Sequence, residues 1–463
     1  MNLSPAAQNY CWRRLAERAG LPLRDAHSTG FEIPGISLFY TEPETVQTPE
    51  RALIVSPCKS GEWQALLNAP PGSIEYQPAE NLIPSNAQLP FSGDIPILFR
   101  STNSRSRFAE IRDNQRLIVH VDILAAAFFM LSRWEETQTD SYDHDGRFTA
   151  SQSVAFKQKF LDQPIIDYYG IILREWLRIL IPEWQPAVRR SDVLLTHDVD
   201  EPLKRVTWRT AIRTAAGDMV KRRSPQRAFQ TLYQNYRAHR EYERDENLTA
   251  MRRLMQITEE HKNLKSAFFF MTAAPSRYDN GYDLRKKPFY DILTEVVRRG
   301  HEIGFHPGYT TFLNEARFQE ELSRMREVIS TEKIRGRQHY LRFRVPQTWR
   351  TWANSPILSE DMSPGYADYE GFRAGTCYPF PVFDIEQDSE LDLIERPLIV
   401  METTLMEYRQ VTPQAAERII LDLAQKCQQV GGSFVLLWHN TTMQGEWGEC
   451  YSRIVAELAK ITD

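Results

Sequence analysis

Cysteine is scarce in this chain and poorly placed for structural work: five residues in 463, odd in number and never in a CxxC pair. That pattern argues against a disulfide framework and against a structural zinc site built from thiolates. Long hydrophobic runs are also missing, since no stretch approaches the roughly 18 apolar residues of a membrane span. The first residues, "MNLSPAAQNYCWRRLAERAG", lack the apolar h-region of a secretory signal. A cytoplasmic location is the resulting expectation. No long block of one charge sign occurs and the formal net charge is −5, so nucleic acid is not the expected partner. Internal repeats and low-complexity tracts are absent as well.

Apolar residues make up 42% and charged residues 25%, enough to build a real core with a solvated surface. The length exceeds one ordinary domain, so two are expected. A change of style near residue 187 separates them, giving an N-terminal α+β accessory domain over 1–187 and a second domain over 188–463. The first is irregular to about residue 100, with Pro, Gly and Asn scattered through segments such as "NLIPSNAQLPFSGDIPILF". "VDILAAAFFMLSRWEE" then shows helical spacing, and "IIDYYGIILREWLRILIPEW" reads as a second apolar helix stopped before Pro182. Asp122, Arg133, Trp134 and Glu135 lie beside these runs, where capping and packing are their expected roles.

From about 188 strands alternate with helices, the pattern of an α/β fold with a parallel sheet or barrel. "DVLLTHD", "SAFFFMT", "HEIGFH", "HYLRFRVP", "PLIVMETTL" and "GSFVLLWHN" are the expected strands. "ENLTAMRRLMQITEEHK", "YDILTEVVRRG", "FQEELSRMREVIS" and "QAAERIILDLAQKCQQV" are expected helices, with Gly300 where a C′ glycine belongs. Parallel folds of this kind collect their chemistry at strand C-terminal ends. Four such ends carry ionisable side chains: His197, Asp198 and Asp200; His306; Arg342 and Arg344; and His439. Residues 198 and 200 point to the same side of a strand, so both acids can reach one cavity. A carboxylate and an imidazole from different strands form a first shell for zinc or a similar divalent ion. A second carboxylate can then take a proton from water, with a distant histidine as acid.

The ordered series "LLTHDVDEP", "LKSAFFFMT", "GHEIGFHPGY", "RFRVPQTW" and "FVLLWHN" resembles the motifs of NodB-type polysaccharide deacetylases, carbohydrate esterase family four, over about residues 190–445. The resemblance implies a distorted (β/α) barrel. It also implies Asp198 as catalytic base, Asp200 and His306 as metal ligands, and His439 as general acid. The arginine that orients the base falls on Arg344, followed by Pro346, with Arg342 as the other reading. One departure stands out. The family's second motif has two metal-binding histidines, and here "HPGYTT" places Thr310 at the second. His197, which replaces a usual aromatic, would compensate only if the strand is irregular, since in a regular strand it faces away from Asp198. A water or a side chain from elsewhere would otherwise complete the shell, and Thr310→His should tighten zinc retention. The "THDVD" and "HPxY" pattern, with "AFFMLSRWEE" before it, resembles a divergent subgroup carrying an N-terminal domain.

Arg342, Tyr309, Trp349 and Asp368 are expected to bind substrate, because a sugar site needs aromatic faces and polar side chains. Asp368 lies in the Gly- and aromatic-rich segment "DMSPGYADYEGFRAGTCYPFPVFD", whose Cys377 has no basic neighbour that would make it a nucleophile. Residues 204–227 hold eight basic residues against one acid, with Trp208, Ile212, Ala215 and Met219 at helical spacing. Such a segment either lies on an anionic membrane surface or packs on the barrel with its basic side solvated. The expected function is removal of an N-acyl group, acetyl above all, from an amino sugar or glycan intermediate with help from a divalent metal, zinc by the resemblance. The alternatives are a degenerate barrel that binds or assembles glycans, and a metal-free hydrolase of another C–N bond.

Overall fold

The computed structural model describes residues 3–21, 36–46, 51–83, 89–101, 108–112, 115–204, 208–220, 222–240 and 242–462. The first region contains β1 (Ile36–Tyr40), β2 (Arg51–Val55), β3 (Glu75–Pro78), β4 (Asp94–Ile97), β5 (Ala109–Arg112) and β6 (Arg116–Val119). Among the described residues these form one sheet ordered β1-β2-β6-β5, parallel except for β5, and a separate antiparallel β3-β4 pair. All nine residues of the helix Ile123–Leu131 are buried. Its apolar character therefore runs all the way round, as a core helix requires. The helices Pro5–Ala19 and Ile165–Leu180 cross closely at Gly170, where a Cβ would come within 2.3 Å of the Arg18 Cβ.

The second region builds β7 (Asp192–Val199), β8 (Lys265–Phe270), β9 (Glu302–Phe305), β10 (Ile334–Gly336), β11 (Leu358–Asp361), β12 (Phe380–Asp384), β13 (Ser389–Glu395), β14 (Val400–Met401) and β15 (Ser433–Leu437). They form a nine-stranded sheet ordered β12-β13-β11-β10-β9-β8-β7-β15-β14, in which β12 runs antiparallel to β13 and the other pairs are parallel. The sheet curls into a half-barrel whose two edges are β12 and β14.

Strand alternation decides which side chains enter the barrel. Leu194, Ala267, Phe269, Val435 and Leu437 share one buried cluster on the concave side. Val193, Leu195, Val199, Phe268, Phe270, Phe434 and Leu436 belong to the larger core on the other side. Asp198 is in phase with Leu194, and His439 with Leu437. His197 falls on the opposite side, where it packs against Phe268 and Tyr451 and its Nδ1 lies 2.7 Å from the Trp438 carbonyl. It cannot complete a shell around Asp200.

Two expected strands are shorter or displaced. "HYLRFRVP" is not a strand: its alternation imitates one, yet β10 ends at Gly336 and residues His339–Leu341 form a tight turn with Tyr340 at φ 61°. Gly336 is needed there, because a Cβ would meet the Phe305 carbonyl oxygen at 2.2 Å. In "PLIVMETTL" pairing is confined to Val400–Met401 before a wide helical turn, Thr404–Tyr408.

One hydrophobic cluster runs through both regions. A buried ion pair and a buried hydrogen bond cross between them as well. Glu136 accepts from Arg133 (2.8 Å) and from Arg373 at 2.9 and 2.6 Å, while Asp167 accepts from Arg18 (2.6 Å) and from the Cys377 backbone N–H (2.8 Å). These groups have lost water and are met by one another instead. They fix the segment between β11 and β12, which has little regular structure of its own. Cys377 is buried against Asp167, and burial holds its thiol well above the usual range, so it is not a nucleophile.

His197 makes a stability prediction. Burial pushes its imidazole down to about 3, although the Trp438 carbonyl favours the proton. In the unfolded chain a histidine titrates near ~6.5. The unfolded chain therefore binds the proton first, and stability present above pH ~6.5 is lost as pH falls toward about 3. His197→Phe should narrow the gap between urea midpoints measured at about pH 7 and about pH 4.5. An unchanged gap would show that other groups set the acid limb.

Candidate metal and catalytic site

The concave end of the half-barrel opens into a cavity of about 440 Å³, lined in part by Asp198, Asp200, His339 and His439. That volume suits a small polar ligand. Asp200 follows the end of β7 and brings Oδ1 to 3.2 Å from His306 Nε2 and 3.5 Å from His339 Nε2. These three side chains form a group whose donor atoms all lie within 4.8 Å of one another, and the group can hold a metal ion. The donor chemistry fits a divalent cation. His306 Nδ1 lies 2.6 Å from the Arg337 carbonyl, so it carries a proton and leaves Nε2 as the ligating atom. Nε2 of His306 and Oδ1 of Asp200 are buried with no hydrogen-bond partner. His339 Nδ1 lies 2.8 Å from Asp279 Oδ1, a carboxylate–imidazole pairing that orients metal-binding histidines. Asp279 is itself fixed by the Tyr309 N–H (2.8 Å) and the Ser276 hydroxyl (2.7 Å).

The electrostatics agree with such a shell. Burial works against the charged forms of Asp200 and His339. The imidazoles nevertheless hold Asp200 well below the usual carboxylate range, and Asp200 with Asp279 lifts His339 to about 9. A cation between them would take over the role of the imidazolium proton.

Two further dyads face the same space. Asp198 Oδ1 accepts from Arg337 Nη1 at 2.9 Å, and Arg337 also donates to Thr196 Oγ1 (3.0 Å) and the Met362 carbonyl (2.9 Å). His439 Nδ1 lies 2.8 Å from Glu402 Oε1, leaving Nε2 toward the cavity and 3.8 Å from Asp200 Oδ2. Burial disfavours the imidazolium, but Glu402 outweighs it and pushes His439 up to about 10.

Several sequence expectations need correction. The arginine against Asp198 is Arg337, not Arg344, whose guanidinium lies 3.8 Å over the Tyr142 ring. Thr310 sits in a short turn outside the donor group, and His339 from the next strand end supplies the third donor. None of the four expected substrate contacts lines the cavity. Trp349 is fully buried and donates to Glu395 at 3.0 Å. Asp368 accepts from the Ala150 N–H at 3.0 Å. Arg342 donates to the Asp145 and Tyr309 carbonyls and lies over the Tyr309 ring. Tyr309 stands behind the cavity wall, stacked at 3.8 Å on Tyr278, which does line it. Residues that sequence reasoning missed take these places: His339, Arg337, Glu402, and Arg147 from the first region, which lines the cavity and donates to the Tyr408 hydroxyl at 3.2 Å.

Comparisons with known proteins give a sparse setting. Residues 65–182 match the model of a family of unknown function, DUF7033. No curated protein matches the chain. A crystal structure described as a "putative polysaccharide deacetylase", from Mycobacterium smegmatis, is similar at 16% identity and a TM-score of 0.38, covering 60% of this chain and 86% of its own.

The three-donor group predicts a specific pattern of metal retention. His339→Ala should lower metal content and shift chelator competition by more than the roughly 10–100-fold that losing an outer-shell partner alone costs, whereas Thr310→His should leave both unchanged. Metal analysis of the two variants against wild type checks this. Full retention by His339→Ala, or tighter retention by Thr310→His, would contradict the assignment.

Proposed function

We propose that this protein is a metal-assisted hydrolase that removes an acyl group, acetyl above all, from the nitrogen of an amino sugar within a glycan. The observation that carries the reading is the convergence on one cavity of the Asp200–His306–His339 group, the Asp198–Arg337 dyad and the His439–Glu402 dyad. Asp200, His306 and His339 would hold the cation, zinc by donor type. Bound there, it supplies Lewis acidity toward an acyl oxygen and lowers the pKa of water.

The remaining work belongs to the chain. Arg337 holds Asp198 with one oxygen engaged, so its other oxygen takes the proton of the attacking water as the C–O bond forms. Glu402 holds His439 in its protonated form, and Nε2 delivers that proton to the nitrogen as the C–N bond breaks. The water's OH stays on the acyl carbon as a carboxylic acid, which ionises to solvent. The water's other proton passes from Asp198 to solvent, the nitrogen leaves as a free amine, and His439 takes a proton back from solvent. Tyr278, Tyr340 and Tyr408 expose part of their rings around the cavity, offering the faces on which a sugar ring stacks. The motif resemblance of "LLTHDVDEP", "GHEIGFHPGY" and "FVLLWHN" supports the same reading.

Acetate release from N-acetylglucosamine oligosaccharides by zinc-loaded protein tests it. Asp198→Asn should cut the rate by about 10²–10⁴-fold, the usual share of a general base, while leaving metal content at the wild-type level. Equal rates for wild type and variant would remove Asp198 from the chemistry. Binding of the oligosaccharide without any release would leave a glycan-binding module instead.

A further inference from the structure

Between Lys204 and Asp245 the chain leaves the barrel as two helices, Trp208–Val220 and Pro225–Arg240, which pack on each other. Residues 208–240 hold eight Lys or Arg against a single Asp, in a chain whose net charge is −5. That acid, Asp218, is buried and already used, accepting from Arg222 at 2.7 Å and Thr231 at 3.2 Å. The apolar residues buried beside it are small, Ala211, Ala215 and Ala228, with the polar Asn235. Leu232 is half-buried, and the other large apolar side chains described point outward. Ile212 is 59% exposed, Val220 77% and Phe229 69%, with Met219 and Tyr233 also exposed. Phe229 and Tyr233 stack on each other with ring centroids 6.0 Å apart. The exposed Arg213, Arg223 and Arg227 make no ion pair among the described residues.

A solvated surface hairpin would bury its large apolar side chains and expose its small ones, so this arrangement is inverted. We propose that the hairpin docks the protein on an anionic lipid surface. The cations match the headgroup charge, and Ile212, Met219, Val220, Phe229 and Tyr233 fit the boundary between headgroups and acyl chains. A second copy would bring the same cations against their own kind. A nucleic acid would engage the arginines and leave the exposed aliphatic side chains in water. No helix among the described residues is long and apolar enough to cross a membrane, so the contact is peripheral. The base of the hairpin is closed by the Lys204 N–H on Asp245 Oδ1 at 3.0 Å, next to Glu201, which lines the cavity. Docking here would hold the cavity rim close to the lipid surface.

Co-sedimentation of the full chain with vesicles tests this without reference to catalysis. The vesicles are phosphatidylcholine alone and phosphatidylcholine with about one third phosphatidylglycerol, whose surface attracts basic residues. Binding should require the anionic lipid and fall with salt. Arg213→Gln and Arg227→Gln should each weaken it by about fivefold, and the double variant Ile212→Ser with Phe229→Ser should abolish it. These positions are exposed, so melting temperature and metal content should stay at wild-type values. No vesicle binding, or equal binding by the double variant, would overturn the proposal. So would a dimer, seen by light scattering, that the double variant dissolves, or retention on duplex DNA equal to that on vesicles.

Discussion

Arg337 is the residue on which the rest of the site depends. Its guanidinium is fully buried and donates to Asp198, Thr196 and Met362, so it ties the ends of β7 and the strand-end loop after β11 to its own position after β10. Its backbone carbonyl, meanwhile, fixes the proton of His306 on Nδ1. One residue thus sets the direction of the candidate base and the tautomer of a candidate metal-holding histidine. Such a cation is stable in a dry interior only because its donors are met, and removing its partners would leave an uncompensated charge.

Much of the fold was legible because it rests on periodicity. The apolar runs before Asp198, His306 and His439 are buried parallel strands, and the rule that chemistry gathers at their C-terminal ends located those residues together. The segment "RGRQHYLRFRVP" defeated the same reasoning. Its polar–apolar alternation looks like a strand centred on Arg342, but pairing stops at Gly336 and the backbone turns left-handed at Tyr340 and Leu341. The true strand end therefore carries Arg337 and His339, and Arg344 lies beyond it over Tyr142. Three residues of strand give no periodic signal. Glu402 was within reach, since it follows the apolar run "PLIV" just as Asp198 follows "VLLT". The substrate contacts were illegible for another reason: whether an aromatic faces a cavity or a core depends on neighbours brought from far along the chain.

The first region is part of this arrangement. Its buried acids, Glu136 and Asp167, neutralise Arg373 and cap the backbone of Cys377, and so shape the segment between β11 and β12. Its loop from Asp143 to Arg147 reaches the cavity, where Arg147 is held by Asp143 (2.7 Å) and the Tyr340 carbonyl (3.1 Å). Tyr340 follows His339 directly, so the first region contacts the turn that presents the third donor. A wall built this way gives residues outside the barrel a part in what the cavity admits.

The central claim is that one carboxylate and two imidazoles, Asp200, His306 and His339, bind one divalent cation. X-ray absorption at the zinc edge of the loaded protein tests it most directly. The account predicts nitrogen and oxygen ligands at about 2.0–2.1 Å with the outer-shell scattering of two imidazoles and no sulfur. A single imidazole, or a sulfur shell at about 2.3 Å, would contradict it.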